Sequence, residues 1–359
     1  MLHVLNPRRG TALLALCALL FGGCAAKRSE LSAGAHAIAK EAIAPETASG
    51  YQQKAAVHSQ KRMVGAANPY ASRAGQEILG AGGSAIDAAV AMALVLGLVE
   101  PQSSGIGGGG FLMHFDGPRA ELTSWDGRET APAASSPDMF LGPDGAPRSF
   151  MAVVPGGLSV GVPGLLRMLE QAHRAHGSLP WDRVIEPAIT LAEQGFLISP
   201  RMYKLVSEDP MLGKMAAARA YFFDEAGAPK AVGTLLRNPD YAAVLREVAR
   251  GGADAFYTGP IAADMVAAVQ GASVNPGRLA LEDLKRYQPK KREPVCLPFR
   301  TLRVCGAPPP TSGGVAVLQI LGLLSRFELE KLPPDSVQAT HLFAEASRLA
   351  SVSYTHLRA

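Results

Sequence analysis

Arg128 is the residue of this sequence best suited to recognition chemistry. It stands in Asp126-Gly127-Arg128-Glu129-Thr130-Ala131-Pro132, after a strand-like run that itself follows a glycine-rich stretch and a first short apolar strand. A guanidinium offers a planar fork of donors that grips a carboxylate through two parallel hydrogen bonds. A β-hairpin here delivers that fork to a sheet edge beside backbone with almost no side-chain cover, which can hold a small carboxylate. On these residues alone a plainer reading stays open, a surface arginine paired with Glu129 or Asp126.

Other constellations are weaker. Gly157-Leu158-Ser159-Val160-Gly161 fits the G-x-S-x-G pattern of a nucleophile elbow. An elbow needs a helix to start directly after the serine, and Gly161, Pro163 and Gly164 disrupt that first turn. The later histidines are His173, His176, His341 and His356, and no His-Gly-Gly loop precedes the motif. A Gly/Ser-rich loop leading into a helix is the better reading. The glycines at 105–110 lack a following Lys-Ser/Thr pair and lead into a strand, so they do not form a phosphate loop. Close approach of neighbouring backbone explains them better.

His173 and His176 share a helix face with Glu170, a spacing compatible with a metal. Gly177 ends the helix at once, and histidines in a last turn are favoured by the helix dipole without any metal. The expectation is a solvated helix end. Asp87, inside an apolar segment, reads as an internal hydrogen-bond partner for loop backbone.

The elements that must position these residues follow from periodicity and punctuation. A first strand is expected at 63–67 and a helix at 69–79. Ser84 is a plausible N-cap for a helix over 85–99 that is apolar almost all round. Fifteen residues are too few to cross a bilayer, and Asp87 lies inside, so this is a core helix. After the hairpin, a turn falls at Pro143-Asp144-Gly145. Helices are expected at 163–175, 181–193, 239–250 and 259–270, with helical residues at 279–284. Strands follow around Val295 and 302–305, then a long apolar helix from Val315. Strands at both ends of the chain with helices between favour sheet layers flanked by helices over an all-helical fold.

Composition fits that class. The 359 residues are 48% hydrophobic and 18% charged, with 38 glycines and 6% aromatics, which implies close packing of small side chains. The net charge of +4 is dispersed, with no basic block interleaved with aromatics, which argues against nucleic acid as a partner.

The N-terminus reads as a leader. Arg8 and Arg9 precede an apolar run at 11–21, and Gly22-Gly23 precede Cys24. The site is similar to the lipobox of bacterial lipoproteins, in which the cysteine is lipidated, although Phe21 departs from the usual leucine. Residues 1–23 are thus expected to be a lipoprotein signal peptide, Cys24 a lipid anchor, and 24–61 a flexible tether. The domain then lies outside the cytoplasm, in the periplasm or at the outer membrane. Cys296 and Cys305 flank a hairpin. Spacing leaves a disulfide and two buried thiols equally open, and neither residue has metal-ligand spacing.

Four segments together resemble the signatures of the γ-glutamyltransferases: Gly82-Gly83-Ser84-Ala85-Ile86-Asp87-Ala88-Ala89-Val90-Ala91, then GIGGGGF from Gly105, DGRETAP from Asp126, and PPPTSGG from Pro308. Supporting matches are Val162-Pro163-Gly164, Glu186-Pro187-Ala188 and Phe256-Tyr257-Thr258-Gly259, in family order. The resemblance implies an α/β (α+β) fold, the four-layer αββα sandwich of N-terminal-nucleophile hydrolases. It implies a precursor that cuts itself into large and small subunits, the new N-terminal threonine of the small subunit being the nucleophile. Glutathione or another γ-glutamyl compound would donate its γ-glutamyl group to that threonine, and water or an amino acid or peptide acceptor would release it. No cofactor or metal is implied. By position, Arg128 is the arginine that binds the substrate α-carboxylate.

The family's Thr-Thr-His-x-Ser motif is not in this sequence; Tyr354-Thr355-His356 is only an echo of it. The chain is therefore expected to be the leader plus a truncated large-subunit region, 62–350, without catalytic residues and lacking its small-subunit partner. Residues 352–359 can be back-translated into a reading frame through a widely used transposon-end sequencing adapter. The expectation is that 351–359 is read-through rather than protein, the alternative being a divergent natural tail. Within the enzyme class a glutaryl or cephalosporin acylase of the same family is an alternative. Outside it, the alternative is a non-catalytic lipoprotein that kept the scaffold.

Overall fold

The structure is a computed structural model that describes residues 55–358. The leader, Cys24 and most of the expected tether lie outside the described residues. Two compact units can be distinguished. The larger carries the hairpin and nearly all of the elements expected from the sequence.

Helix α1, Pro69–Gly80, starts on a proline, whose fixed φ suits a first turn. It buries Ala71, Ala74, Gly75 and Ile78, one stripe at helical spacing. The chain then breaks at Gly82, whose φ of 93° favours glycine. Helix α2, Ala85–Val99, is buried on most sides. Ser84 caps it in a reciprocal box: its hydroxyl oxygen accepts from Asp87 N–H, and Asp87 Oδ2 accepts from Ser84 N–H at 2.8 Å.

Strands β1, Gly110–Asp116, and β2, Glu121–Gly127, pair antiparallel, from Gly110 opposite Gly127 to Asp116 opposite Glu121. Helices α3, Leu165–His176, and α4, Trp181–Gln194, follow. Then come α5, Pro239–Gly251, α6, Gly259–Gln270, and α7, Leu281–Arg286. A third strand, β3, Lys290–Arg292, joins the far side of β2, giving the order β1-β2-β3. A second hairpin pairs β4, Val295–Phe299, with β5, Leu302–Gly306, and places Cys296 opposite Cys305 in a disulfide. Helices α8, Gly313–Leu324, and α9, Val337–Arg358, pack on each other.

The core is layered around β2. Helix α3 lies against β2, α2 touches both α3 and α4, and α4 packs on α5. Its fully buried side chains include Ile78, Val90, Leu94, Leu166, Met168 and Ile185. Burial at about 25 cal/mol per Å² of apolar surface is what holds such layers together. This is the mixed α/β class expected from the sequence.

Residues 197–235 belong to the smaller unit, with helices Pro200–Glu208 and Ala216–Phe222. Ser199 caps the first of these by accepting from Met202 N–H at 3.0 Å. One expected strand is absent. Residues 63–66 form no regular element and 67 lies in a bend, all outside every ladder, and Met63 is 60% exposed. A strand exists through its neighbour, and no described strand lies alongside to complete this one.

A candidate carboxylate-binding cleft

Arg128 directly follows β2, and its backbone is held at both polar atoms. Its N–H donates to Asp126 Oδ1 at 3.0 Å, and its carbonyl accepts from the Tyr287 hydroxyl at 2.8 Å. Asp126 is itself buried, and its second oxygen accepts from Arg292 Nε at 2.7 Å. Burial, with Asp126 and Glu129 nearby, pushes the Tyr287 hydroxyl up to about 12, so it stays a donor at any physiological pH.

The Arg128 side chain is free by comparison. It is 54% exposed and pairs through Nε with Glu129 Oε2 at 3.0 Å. Its terminal nitrogens have no partner among the described residues. The pairing with Glu129 expected of a surface arginine is therefore present, yet it leaves the outer edge of the guanidinium available.

Glycines bring the surrounding backbone close. Gly108 C=O accepts from both Gly164 N–H at 2.9 Å and Leu165 N–H at 3.0 Å, which seats the start of α3 on the glycine loop. A Cβ on Gly164 would meet the Tyr287 hydroxyl oxygen at 2.1 Å and Gly127 O at 2.2 Å. At Gly109 it would meet Gly127 O at 2.6 Å. Within the 105–110 run, Gly108 and Gly109 thus serve backbone packing, as expected, whereas a Cβ on Gly105 or Gly107 would meet nothing within 4 Å.

Arg128 and Glu129 open onto a cleft of about 530 Å³ that is also lined by Met139, Phe140, Leu158 and Ser159. Leu158 and Ser159 belong to the G-x-S-x-G segment. Ser159 donates its hydroxyl to Val154 C=O at 2.8 Å, and no helix begins directly after it, α3 starting only at Leu165. It is a cleft-wall residue rather than an elbow nucleophile. The loop is anchored by Gly157 N–H donating to Asn275 C=O at 2.8 Å.

Asp87 is fully buried, and its Oδ2 accepts from Ser178 N–H at 2.9 Å and Leu179 N–H at 3.1 Å, the loop-backbone role expected of it. The two histidines differ from expectation, because neither forms a solvated helix end. His173 Nε2 donates to Leu179 C=O at 2.9 Å, lies 3.4 Å from Asp87 Oδ1, and its ring packs on Trp181. His176 stacks on His114 with ring centroids 4.2 Å apart. Burial, then His114 and Lys291, hold His176 below the usual imidazole range. Among the described residues no group of three or more acidic, histidine or cysteine side chains is placed to hold a metal.

Tyr287 and Arg292 carried no sequence signal. They lie more than 150 positions from Arg128 and belong to ordinary residue types in a basic stretch. Met139 and Phe140 sit in a loop with no periodicity to mark them.

Comparison with known proteins agrees with the fold and the motif order. A sequence model of the family described as Gamma-glutamyltranspeptidase matches residues 71–357. The chain is 38% identical over 288 residues to the glutathione hydrolase proenzyme of Bacillus subtilis (strain 168), covering 80% of this chain and 48% of that protein. It is 34% identical over 319 residues to the acylase ACY 1 proenzyme of Pseudomonas sp. (strain SE83), covering 85% and 55%. The γ-glutamyltranspeptidase structure from Helicobacter pylori superposes with a TM-score of 0.78 at 32% identity, covering 83% of this chain and 84% of that one. The fold is that of the N-terminal-nucleophile hydrolases. Within that class, the chain belongs to the γ-glutamyltranspeptidase family. It spans about half the length of the curated relatives it matches.

Proposed function

We propose that the complete protein is a γ-glutamyltransferase and glutathione hydrolase made as a self-cleaving precursor, and that this chain supplies the wall that holds the substrate carboxylate. The observation that supports this most is the half-exposed Arg128 guanidinium, tied to Glu129 on one edge and open to the cleft on the other. The α-carboxylate of a γ-glutamyl group would accept two hydrogen bonds from the open edge. The γ-amide carbonyl would then face a threonine from the downstream part of the precursor. That threonine attacks the carbonyl carbon, its own α-amine taking the hydroxyl proton. The amine leaves protonated, and the acyl-enzyme passes to water or to an acceptor amine.

The test is turnover of γ-glutamyl-p-nitroanilide by the full-length precursor. Replacing Arg128 with Ala should lower kcat/KM by roughly 10- to 100-fold, the effect of losing a charge-assisted contact. Unchanged kcat/KM would remove Arg128 from the site. The 359-residue chain alone should be inactive, and measurable turnover by it would refute the downstream nucleophile. A Thr-Thr-His-x-Ser motif in the intact gene separates an enzyme from a non-catalytic scaffold.

Similarity to the acylase ACY 1 proenzyme supports a second reading, a glutaryl acylase of the same family. A glutaryl group carries the same carboxylate without the α-amine, so Arg128 would suit both substrates. Comparing γ-glutamyl and glutaryl anilides separates them. The same proposal has Cys24 lipidated and the protein anchored at the periplasmic face of a membrane or at the outer membrane. Cys24→Ala should then release it from the membrane fraction. It also takes 351–359 as adapter read-through, and a genomic sequence continuing through Val352–Ala359 overturns that.

A further inference from the structure

The geometry points to Tyr287, together with the Arg292–Asp126 pair, as the group that positions Arg128 and so sets selectivity for substrates bearing an α-carboxylate. The inference rests on the proposed role of Arg128 in carboxylate binding. The backbone of Arg128 has one donor and one acceptor, and a side chain occupies each. Asp126 Oδ1 takes the N–H, and the Tyr287 hydroxyl supplies the carbonyl. Asp126 is fixed in turn by Arg292 on β3, through the oxygen that Arg128 does not use.

Two of the three contacts, those of Tyr287 and Arg292, come from one short stretch, 287–292, which leaves α7 and enters β3. Strand β3 pairs with β2 opposite Ser124, Trp125 and Asp126, and it begins at Lys290 opposite Asp126, the residue that accepts from Arg128 N–H. The Tyr287 ring cannot drift, because Gly164 brings backbone directly against it and it stacks on Tyr257 with centroids 6.1 Å apart. The Arg128 side chain, by contrast, has only its Nε contact with Glu129 to orient it. Its direction into the cleft is therefore set mainly by where the backbone under it is pinned. Tyr287 and Arg292 touch no substrate in this scheme. They are positioning residues.

The experiment uses the full-length, matured enzyme and two substrates, γ-glutamyl-p-nitroanilide and 4-aminobutyryl-p-nitroanilide. The second is the first without its α-carboxylate. Wild type should prefer the γ-glutamyl substrate, and Arg128→Ala should erase most of that preference. Tyr287→Phe removes one hydroxyl and keeps the ring. It should lower the kcat/KM ratio of the two substrates by roughly 3- to 10-fold, as the loss of one hydrogen bond would. The change should appear in KM for the γ-glutamyl substrate, with kcat on the shorter one unaltered.

Arg292→Lys, which keeps the charge opposite Asp126, gives a second reading if Tyr287→Phe fails to mature, and it should shift the ratio the same way. Arg286→Gln, on the exposed side of α7, should leave it alone. A general loss of folding would lower both substrates together and leave the ratio fixed, which overturns the positioning role. So does an unchanged ratio in both variants while Arg128→Ala alters it. An unchanged ratio in Arg128→Ala overturns the carboxylate reading itself, and the positioning role with it.

Discussion

Asp87 gathers three backbone donors on one carboxylate oxygen: Ser84 N–H, Ser178 N–H and Leu179 N–H. Removing it takes the acceptor from all three part-buried hydrogen bonds, so Asp87→Ala should destabilise the protein by about 3 kcal/mol in urea unfolding. His176 gives a pH signature. Its folded form binds protons more weakly than its unfolded form, whose ordinary value is 6.5. Stability from this site is therefore complete above that value and falls as pH drops below it. His114 and Lys291 push in this direction, while Asp116 and Glu121 oppose it. His176→Phe should flatten the fall in melting temperature on the acid side. At this scale the sequence made Asp87 legible, since its apolar flanks mark it as an internal partner for loop backbone, and it placed Arg128 just past the hairpin. His173 was misread because Asp87 and Trp181, which bury it, come from other segments.

At the scale of elements, most helices and the two hairpins follow from periodicity, caps and glycine breaks. Strand β3 was not legible, because Lys290-Lys291-Arg292 has no apolar alternation. Its place is fixed by pairing with β2 and by Arg292 meeting Asp126. A Cβ at Gly164 would meet both the Tyr287 hydroxyl and Gly127 O, so Gly164→Ala should cost about 1–3 kcal/mol from overpacking and displace Tyr287. The Cys296–Cys305 bond closes a short loop, the cysteines being 9 positions apart. On chain-entropy grounds it should contribute roughly 2.5 kcal/mol. Melting with and without reductant, against a Cys296→Ser/Cys305→Ser variant, checks this. Spacing alone could not decide that pairing, because it does not fix the register that places the two side chains face to face.

Across the whole molecule, the motif order over residues 82–314 carried the fold class, whereas the smaller unit left no trace in the sequence reading. Its helices are short, and none of the family motifs falls within 197–235. The C-terminal helices show another departure from ordinary surfaces. Val317 on α8 and Phe343 and Leu349 on α9 are exposed. Large apolar side chains grouped on surface helices favour association. The 359-residue chain alone should self-associate with concentration in sedimentation velocity, and co-expression with the proposed downstream half of the precursor should suppress this. Self-association that persists with that half present would count against it as the natural cover.

The pinned backbone beneath Arg128 also has a kinetic meaning. With its N–H and C=O both engaged, the peptide should exchange its amide hydrogen slowly. The guanidinium above it reorients by rotamer hops on the picosecond-to-nanosecond scale. The side chain can therefore adjust its direction while the peptide beneath it stays fixed, so fast reorientation and slow amide exchange should coexist at one residue.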